Sequence, residues 1–247
     1  MAAIDFTTVI ALDEVHLAEF KLVWPTWVKH RPEILRKPFL FLCSDDSVSV
    51  QINRSLPGLP KCYDICVLKV NDYAGWTHRE MMLASFVKQA PYAIRTKWML
   101  KLDTDVVAMR GCSGEWCSES LVANDPVFIS SPWGYTKPPD AIQKLDSWGD
   151  GVPELIGKAP LNLKINPESN CVKTSGRIIS WCFFGRVDWL QWAGKVFSGR
   201  LPVPSHDTCL WYLAKRHGDM YATVQMKAFG WDHVHGSRLR EAVRKAL

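Results

Sequence analysis

Short apolar runs alternate with helix-period segments over the first hundred residues, and this constrains the fold most. Residues 6–12, FTTVIAL, are apolar and β-branched, as a buried strand requires. Residues 14–30 carry Leu17, Phe20, Trp24, Trp27 and Val28 at helical spacing, with Pro25 predicted to kink or split the helix. PFLFLC at 38–43 is a second strand, ending at Ser44-Asp45-Asp46. Residues 53–61 hold Pro57, Gly58 and Pro60 and read as loop, and YDICVLKV at 63–70 reads as a third strand. Thr77 and Glu80 form a capping-box pattern for a helix that Pro91 stops near Ala90. KWMLKL at 97–102 is a fourth strand that runs into Asp103. Strand–helix alternation is the mark of right-handed parallel crossovers, and helices on both faces explain strands apolar throughout.

The pattern loosens after residue 110. Residues 111–120 are polar and Cys/Ser-rich, and residues 131–175 are Pro-rich and aperiodic. Long irregular stretches in compact domains are commonly functional or unstructured. A strand returns at 177–184, RIISWCFF, closed by Gly185, and a helix spans roughly 186–198. Another helix is expected at 206–217, with Ser205 as N-cap, Lys215-Arg216-His217 in its last turn and Gly218 beyond. The expected organisation is one compact α/β domain in two halves, 1–110 and 111–247.

The 247 residues are 47% hydrophobic and 22% charged, which excludes a disordered or fibrous chain. No apolar run reaches the roughly 20 residues of a membrane helix, and Asp5 interrupts a start without a basic region, so no signal peptide is expected and the expected location is cytoplasmic. The net charge is +5, but Arg238, Arg240, Arg244 and Lys245 concentrate it near the end of the sequence. That distribution excludes a broad nucleic-acid footprint. Leu239, Val243 and Leu247 make this segment a candidate amphipathic helix, a solvated last helix or at most a peripheral contact with an anionic membrane. The eight cysteines lack zinc-ligand spacing and are expected as reduced thiols. Most of the 12 tryptophans are expected in the core; Trp133, Tyr135 and Trp181 are candidates for a ring-binding cleft.

The sharpest local signal is Leu102-Asp103-Thr104-Asp105. In an extended segment i and i+2 point to one side, and two carboxylates converging there repel unless a cation lies between them. Oxygen ligands suit Mg²⁺ or Mn²⁺. The carboxyl edge of a parallel sheet is also where open α/β folds bind ligands. A pair of aspartates ending a strand in a turn is the structural alternative.

This order of elements with its D-x-D resembles the GT-A-fold glycosyltransferases, which use nucleotide-sugar donors. The resemblance implies a Rossmann-like, mostly parallel central sheet flanked by helices, with an irregular acceptor-side region. Residues 1–110 would be the nucleotide-sugar half, and 111–247 the acceptor half with a late metal and phosphate segment. It implies transfer of a sugar, from a UDP-sugar first of all, to a hydroxyl on a glycan, lipid or small-molecule acceptor. Asp105 would bind the Mn²⁺ or Mg²⁺ directly, with Asp103 on the metal or the donor and Thr104 beside it. In Trp231-Asp232-His233-Val234-His235-Gly236-Ser237-Arg238, His235 or His233 would be a further metal ligand and Arg238 a phosphate contact.

His78 and Arg79 oppose the dipole of the helix they open, which makes sense if an anion binds there; Arg79 is the better candidate because its fork fits phosphate. By the same resemblance Asp207, in the first turn of its helix beside His206, would be the base of an inverting reaction; an aspartate placed there by the helix dipole, and a retaining reaction that needs no such base, are the alternatives. Leu12, Asp13 and Asp45, at the ends of the first two strands, would meet the base and ribose; helix capping by Asp13 and a turn at Asp45 are the alternatives.

Asp103-Thr104-Asp105-Val106-Val107 also matches the D-x-D-x-[TV] of haloacid-dehalogenase-like phosphatases, but three strands precede it and that family puts it on the first. A sugar-phosphate nucleotidyltransferase calls for a Gly-rich loop after strand one, where this chain has Ala11-Leu12-Asp13-Glu14. A non-catalytic nucleotide-sugar-binding protein is the other alternative.

Overall fold

A computed structural model describes residues 4–68, 78–109, 122, 125–132, 178–197, 201, 206–217, 221–223 and 230–247. Its centre is a parallel run of four strands: β1 (Phe6–Leu12), β2 (Phe39–Cys43), β3 (Tyr63–Val67) and β4 (Trp98–Leu102). They lie in the order β3-β2-β1-β4, and the row continues through β7, β6 and β8. Here β5 is Val106–Ala108, β6 Phe128–Pro132, β7 Ile178–Arg186, β8 Ala222–Thr223 and β9 Trp231–His233. β7 runs antiparallel to both β4 and β6, while β6 and β8 are parallel. β5 and β9 form a separate antiparallel ribbon.

Side-chain alternation divides the core into two layers. Phe6, Ile10, Phe39, Phe41, Leu100 and Leu102 face the layer that includes α1 (Glu14–His30) and α2 (Asp46–Ser55). Val9, Leu40, Leu42 and Met99 face the opposite layer, with α3 (His78–Lys88), α4 (Ala90–Ala93), α5 (Val187–Val196) and α6 (His206–His217). A strand covered on both faces needs apolar residues at every position. α7 (Leu239–Ala246) lays Leu239, Val243 and Ala246 into the first layer. Leu247 stays 47% exposed, so the helix buries Ala246 where the sequence pattern pointed to Leu247. Arg240, Arg244 and Lys245 are exposed, and Lys245 pairs with Glu241 at 2.7 Å. No helix among the described residues is long and apolar enough to cross a membrane.

Trp24, Trp27, Trp98, Trp181, Trp189 and Trp231 are buried. Trp27 stacks edge-on against Phe20 and Trp231 and donates to the Val106 carbonyl at 2.6 Å. It thereby ties α1 to the β5–β9 ribbon.

Several expectations are corrected. α1 is one uninterrupted helix despite Pro25. A ten-residue α2 occupies part of the stretch read as loop, which now begins at Leu56. Gly185 lies inside β7 rather than closing it. Pro91 sits in the first turn of α4, after α3 has ended at Lys88. Thr77, Ser205, Gly218, Trp133 and Tyr135 fall outside the described residues.

Candidate metal centre

The parallel strands all end at one edge, and each of β1, β2 and β4 is followed there by an aspartate or a Ser-Asp pair. Their chemistry differs. Asp13 accepts from the His16 N–H at 2.7 Å and caps α1. Asp45 accepts from the Val48 N–H at 3.0 Å and caps α2, and its carboxyl is held low first by the Ser44 hydroxyl. Both carboxylates therefore hold helix N-termini, the alternative left open from sequence for Asp13, whereas at Asp45 the alternative was a turn. Leu12 is fully buried and its carbonyl accepts from the Ser44 N–H at 2.9 Å, so neither its side chain nor that oxygen faces a donor.

After Leu102 the chain leaves the sheet. Thr104 and Asp105 form a turn, and β5 begins at Val106. A turn thus replaces the expected extended geometry, yet both carboxylates still approach His233 Nε2, Asp105 at 3.1 Å and Asp103 at 3.8 Å. Thr104 is buried and donates to Glu19 of α1 at 3.1 Å, so its hydroxyl pins the turn from within. Asp103 is fixed by backbone and side chain: its N–H donates to the Trp181 carbonyl at 2.8 Å, and its Oδ1 accepts from Lys101 Nζ.

Asp105 faces the ribbon. β9 pairs with β5 so that His233 lies opposite Val106, and the Val234 N–H donates to the Asp105 carbonyl at 3.2 Å. This register brings His233 Nε2 to 3.1 Å from Asp105 Oδ1 and His235 Nδ1 to 2.6 Å from Asp105 Oδ2. His233 Nε2 also lies 3.8 Å from Asp103 Oδ2. Gly236 follows at φ 62, a left-handed conformation that glycine adopts without a Cβ penalty, and turns the chain toward α7. Trp181 stacks on His233 with rings 5.5 Å apart and 10° from parallel, fixing the imidazole plane.

Asp105, His233 and His235 each offer one ligand atom, and these atoms lie within 4.8 Å of one another. His233 Nε2 is buried without an aligned hydrogen bond, close as the carboxylate is. A buried nitrogen facing a carboxylate in this state fits a shared cation. Burial raises the Asp105 carboxyl, but contact with His233 and the nearby His235 outweighs it and holds the group below the usual carboxylate range. Of the four residues expected on the metal, the geometry joins Asp105, His233 and His235, and places Asp103 on Lys101 instead.

Asp207 is buried in the first turn of α6, beside His206. His206 is fully buried between Phe86 and Phe183, with neither ring nitrogen hydrogen-bonded. Burial, and then Lys101, push its pKa down to about 4, so the imidazole is neutral. Arg238 lies exposed in the short helical turn before α7. Arg79 opens α3, and its side chain, like that of His78, is outside the described ones. The sequence reading missed Lys101, Glu19 and the support that Trp181 gives His233. Strand alternation from Asp103 back to Lys101 would have found the first.

No protein-family model and no curated protein sequence matches the chain. Solved structures do match in fold. The mannosyltransferase Ktr4p from S. cerevisiae in complex with GDP shares 12% identity over 94% of this chain and 71% of that one, with a TM-score of 0.57. The galactosyltransferase LgtC in complex with donor and acceptor sugar analogues shares 13% identity over 98% of this chain and 84% of that one, with a TM-score of 0.51. Core-mannan synthase A from Aspergillus fumigatus, in a Mn/GDP form, shares 9% identity over 94% of this chain and 75% of that one, with a TM-score of 0.53. The fold is therefore that of the GT-A glycosyltransferases.

Proposed function

We propose that this protein is a metal-dependent glycosyltransferase, moving a sugar from a nucleoside-diphosphate donor to a hydroxyl acceptor. The observation that carries the reading is the Asp105–His233–His235 cluster at the carboxyl edge of a GT-A sheet. The glycosyltransferase neighbours support it, one of them recorded with Mn and GDP.

Two imidazoles and one carboxylate favour Mn²⁺ over Mg²⁺, which prefers oxygen ligands. Such a cation, when bound, neutralises negative charge on a departing diphosphate. The protein's part is to hold ligands in place: Trp181 orients His233, and the β5–β9 pairing aligns Asp105 with both histidines. A UDP-sugar is the first donor to test, and GDP-sugars belong in the same panel because Ktr4p is recorded with GDP. Asp207 is the carboxylate assigned to take the acceptor proton, and Arg238 and Arg79 are the cations assigned to the diphosphate. The acceptor is a sugar hydroxyl, as LgtC's complex with an acceptor sugar analogue supports.

The test is incubation with a panel of UDP- and GDP-sugars, with Mn²⁺ and with chelator. Mn²⁺-dependent release of nucleoside diphosphate is the expected result. Donor binding with no turnover, acceptors supplied, would make the protein a non-catalytic binder. Pyrophosphate release from a nucleoside triphosphate and a sugar phosphate would make it a nucleotidyltransferase.

A further inference from the structure

Lys101 is the most unusual residue of the central strands. It sits in the middle of the seven-stranded sheet, on β4, and is 1% exposed. Alternation puts it on the same face as Met99, in the layer of α3 and α6, with its ammonium 5.0 Å from the centre of the Phe86 ring. An ammonium that deep needs an anion, because it has lost its water. An anion in contact with it is Asp103, two residues along the same strand direction, the first carboxylate of the D-x-D. The Asp103 side chain is 33% exposed and the Lys101 side chain 1%, so the pair joins the sheet interior to the open edge.

The geometry points to Lys101 as a positioning residue that holds Asp103 out of the metal's shell, leaving Asp105, His233 and His235 as the protein ligands. The inference rests on the metal-dependent reading above. Its physical content is charge accounting. Two aspartates without a cation would repel across the turn and draw any divalent ion toward a point between them. With Lys101 against Asp103 the charge of that carboxylate is offset, and Asp105 is the carboxylate left facing the two histidines. Asp103 then stays fixed through its N–H to Trp181 and its Oδ1 to Lys101, with Oδ2 turned toward His233. A fixed carboxylate beside the ion places donor hydroxyls; one drawn onto the ion does not.

The experiment is Mn²⁺ titration by calorimetry, without donor, on the wild type, Lys101→Met, Asp103→Asn and the double variant. Lys101→Met keeps the apolar stem and removes the charge. It is expected to tighten Mn²⁺ binding about three- to tenfold, while kcat falls at least about tenfold with donor KM within about twofold. Damage to the fold alone would not raise metal affinity while lowering turnover. The double variant removes both charges together, which buried sites tolerate better than removing one. It is expected to bind Mn²⁺ within about threefold of the wild type, because Asp103 is not a ligand. Weaker or unchanged binding by Lys101→Met overturns the role of Lys101. If that variant does not fold, the double variant decides: a loss beyond about tenfold makes Asp103 a ligand and ends the proposal. Wild-type protein that takes up no Mn²⁺ overturns the metal-dependent reading itself, a result distinct from either.

Discussion

The two flanks of the Asp103–Asp105 turn make opposite use of the same side chain. On the ribbon flank, Asp105 faces two imidazoles, one partly buried and one 69% exposed, groups that can share a cation. On the sheet flank, Asp103 gives one oxygen to a buried ammonium, which competes with a cation for that carboxylate. The same edge carries two more aspartates, Asp13 and Asp45, that each give an oxygen to a helix N–H group. A carboxylate at the carboxyl edge of a parallel sheet is therefore not a ligand by position. The neighbours decide, and among the described residues Asp105 is the carboxylate grouped with two histidine nitrogens at ligand spacing.

The sharpest way to break this contrast is Asp105→Asn. It is expected to lower Mn²⁺-dependent turnover by about a thousandfold, since the only charged ligand of the cluster is lost; calorimetry with unchanged Mn²⁺ affinity would sink the assignment. The histidines come next and should be unequal. His233→Ala removes a ligand held by Trp181 and the β5–β9 pairing and should weaken Mn²⁺ binding about a hundredfold. His235→Ala, at the exposed rim, should cost about tenfold in the same titration.

The sheet flank should respond to protons. His206 has a folded pKa of about 4 against an ordinary 6.5, so between those values the unfolded chain binds the extra proton. Its contribution to stability is therefore full above pH 6.5, falls as the pH drops toward 4, and amounts to about 2 kcal/mol lost by pH 5. His206→Phe fills the space between Phe86 and Phe183 without a titrating group. Denaturant unfolding at pH 7 and pH 5 should differ less for this variant than for the wild type; an equal difference would show that His206 is not the source. The smallest effects belong to the caps. Asp13→Ala and Asp45→Ala should each cost about 1 kcal/mol in denaturant unfolding while leaving Mn²⁺ affinity in place. A large loss of metal affinity in either would move that aspartate into the site.

Much of the parallel half was legible because its information is local. α1 and α6 occupy the expected 14–30 and 206–217, and β1, β2 and β4 fall within a residue of their apolar runs. α2 was not legible: Asp46–Ser55 is rich in Ser and β-branched Val and Ile, poor helix formers, and buries only Val48 and Ile52. Packing against β2 and β3 overrides that weak propensity. The direction of β7 was equally hidden, since RIISWCFF reads the same whether it runs with β4 or against it.

What the sequence determined by itself was the alternating α/β order, the chemistry available at the end of β4, and a late histidine pair with the spacing of one strand face. What only the tertiary structure decided was the sorting of partners: Asp105 to His233 and His235 through the β5–β9 register, Asp103 to Lys101 through the turn that separates the two aspartates. Sequence spacing sets which side chains share a face within one element. Which faces meet is set by burying apolar surface over the whole chain, and the contact between residues 105 and 233 exists because Trp27 and Trp231 pack the ribbon against α1.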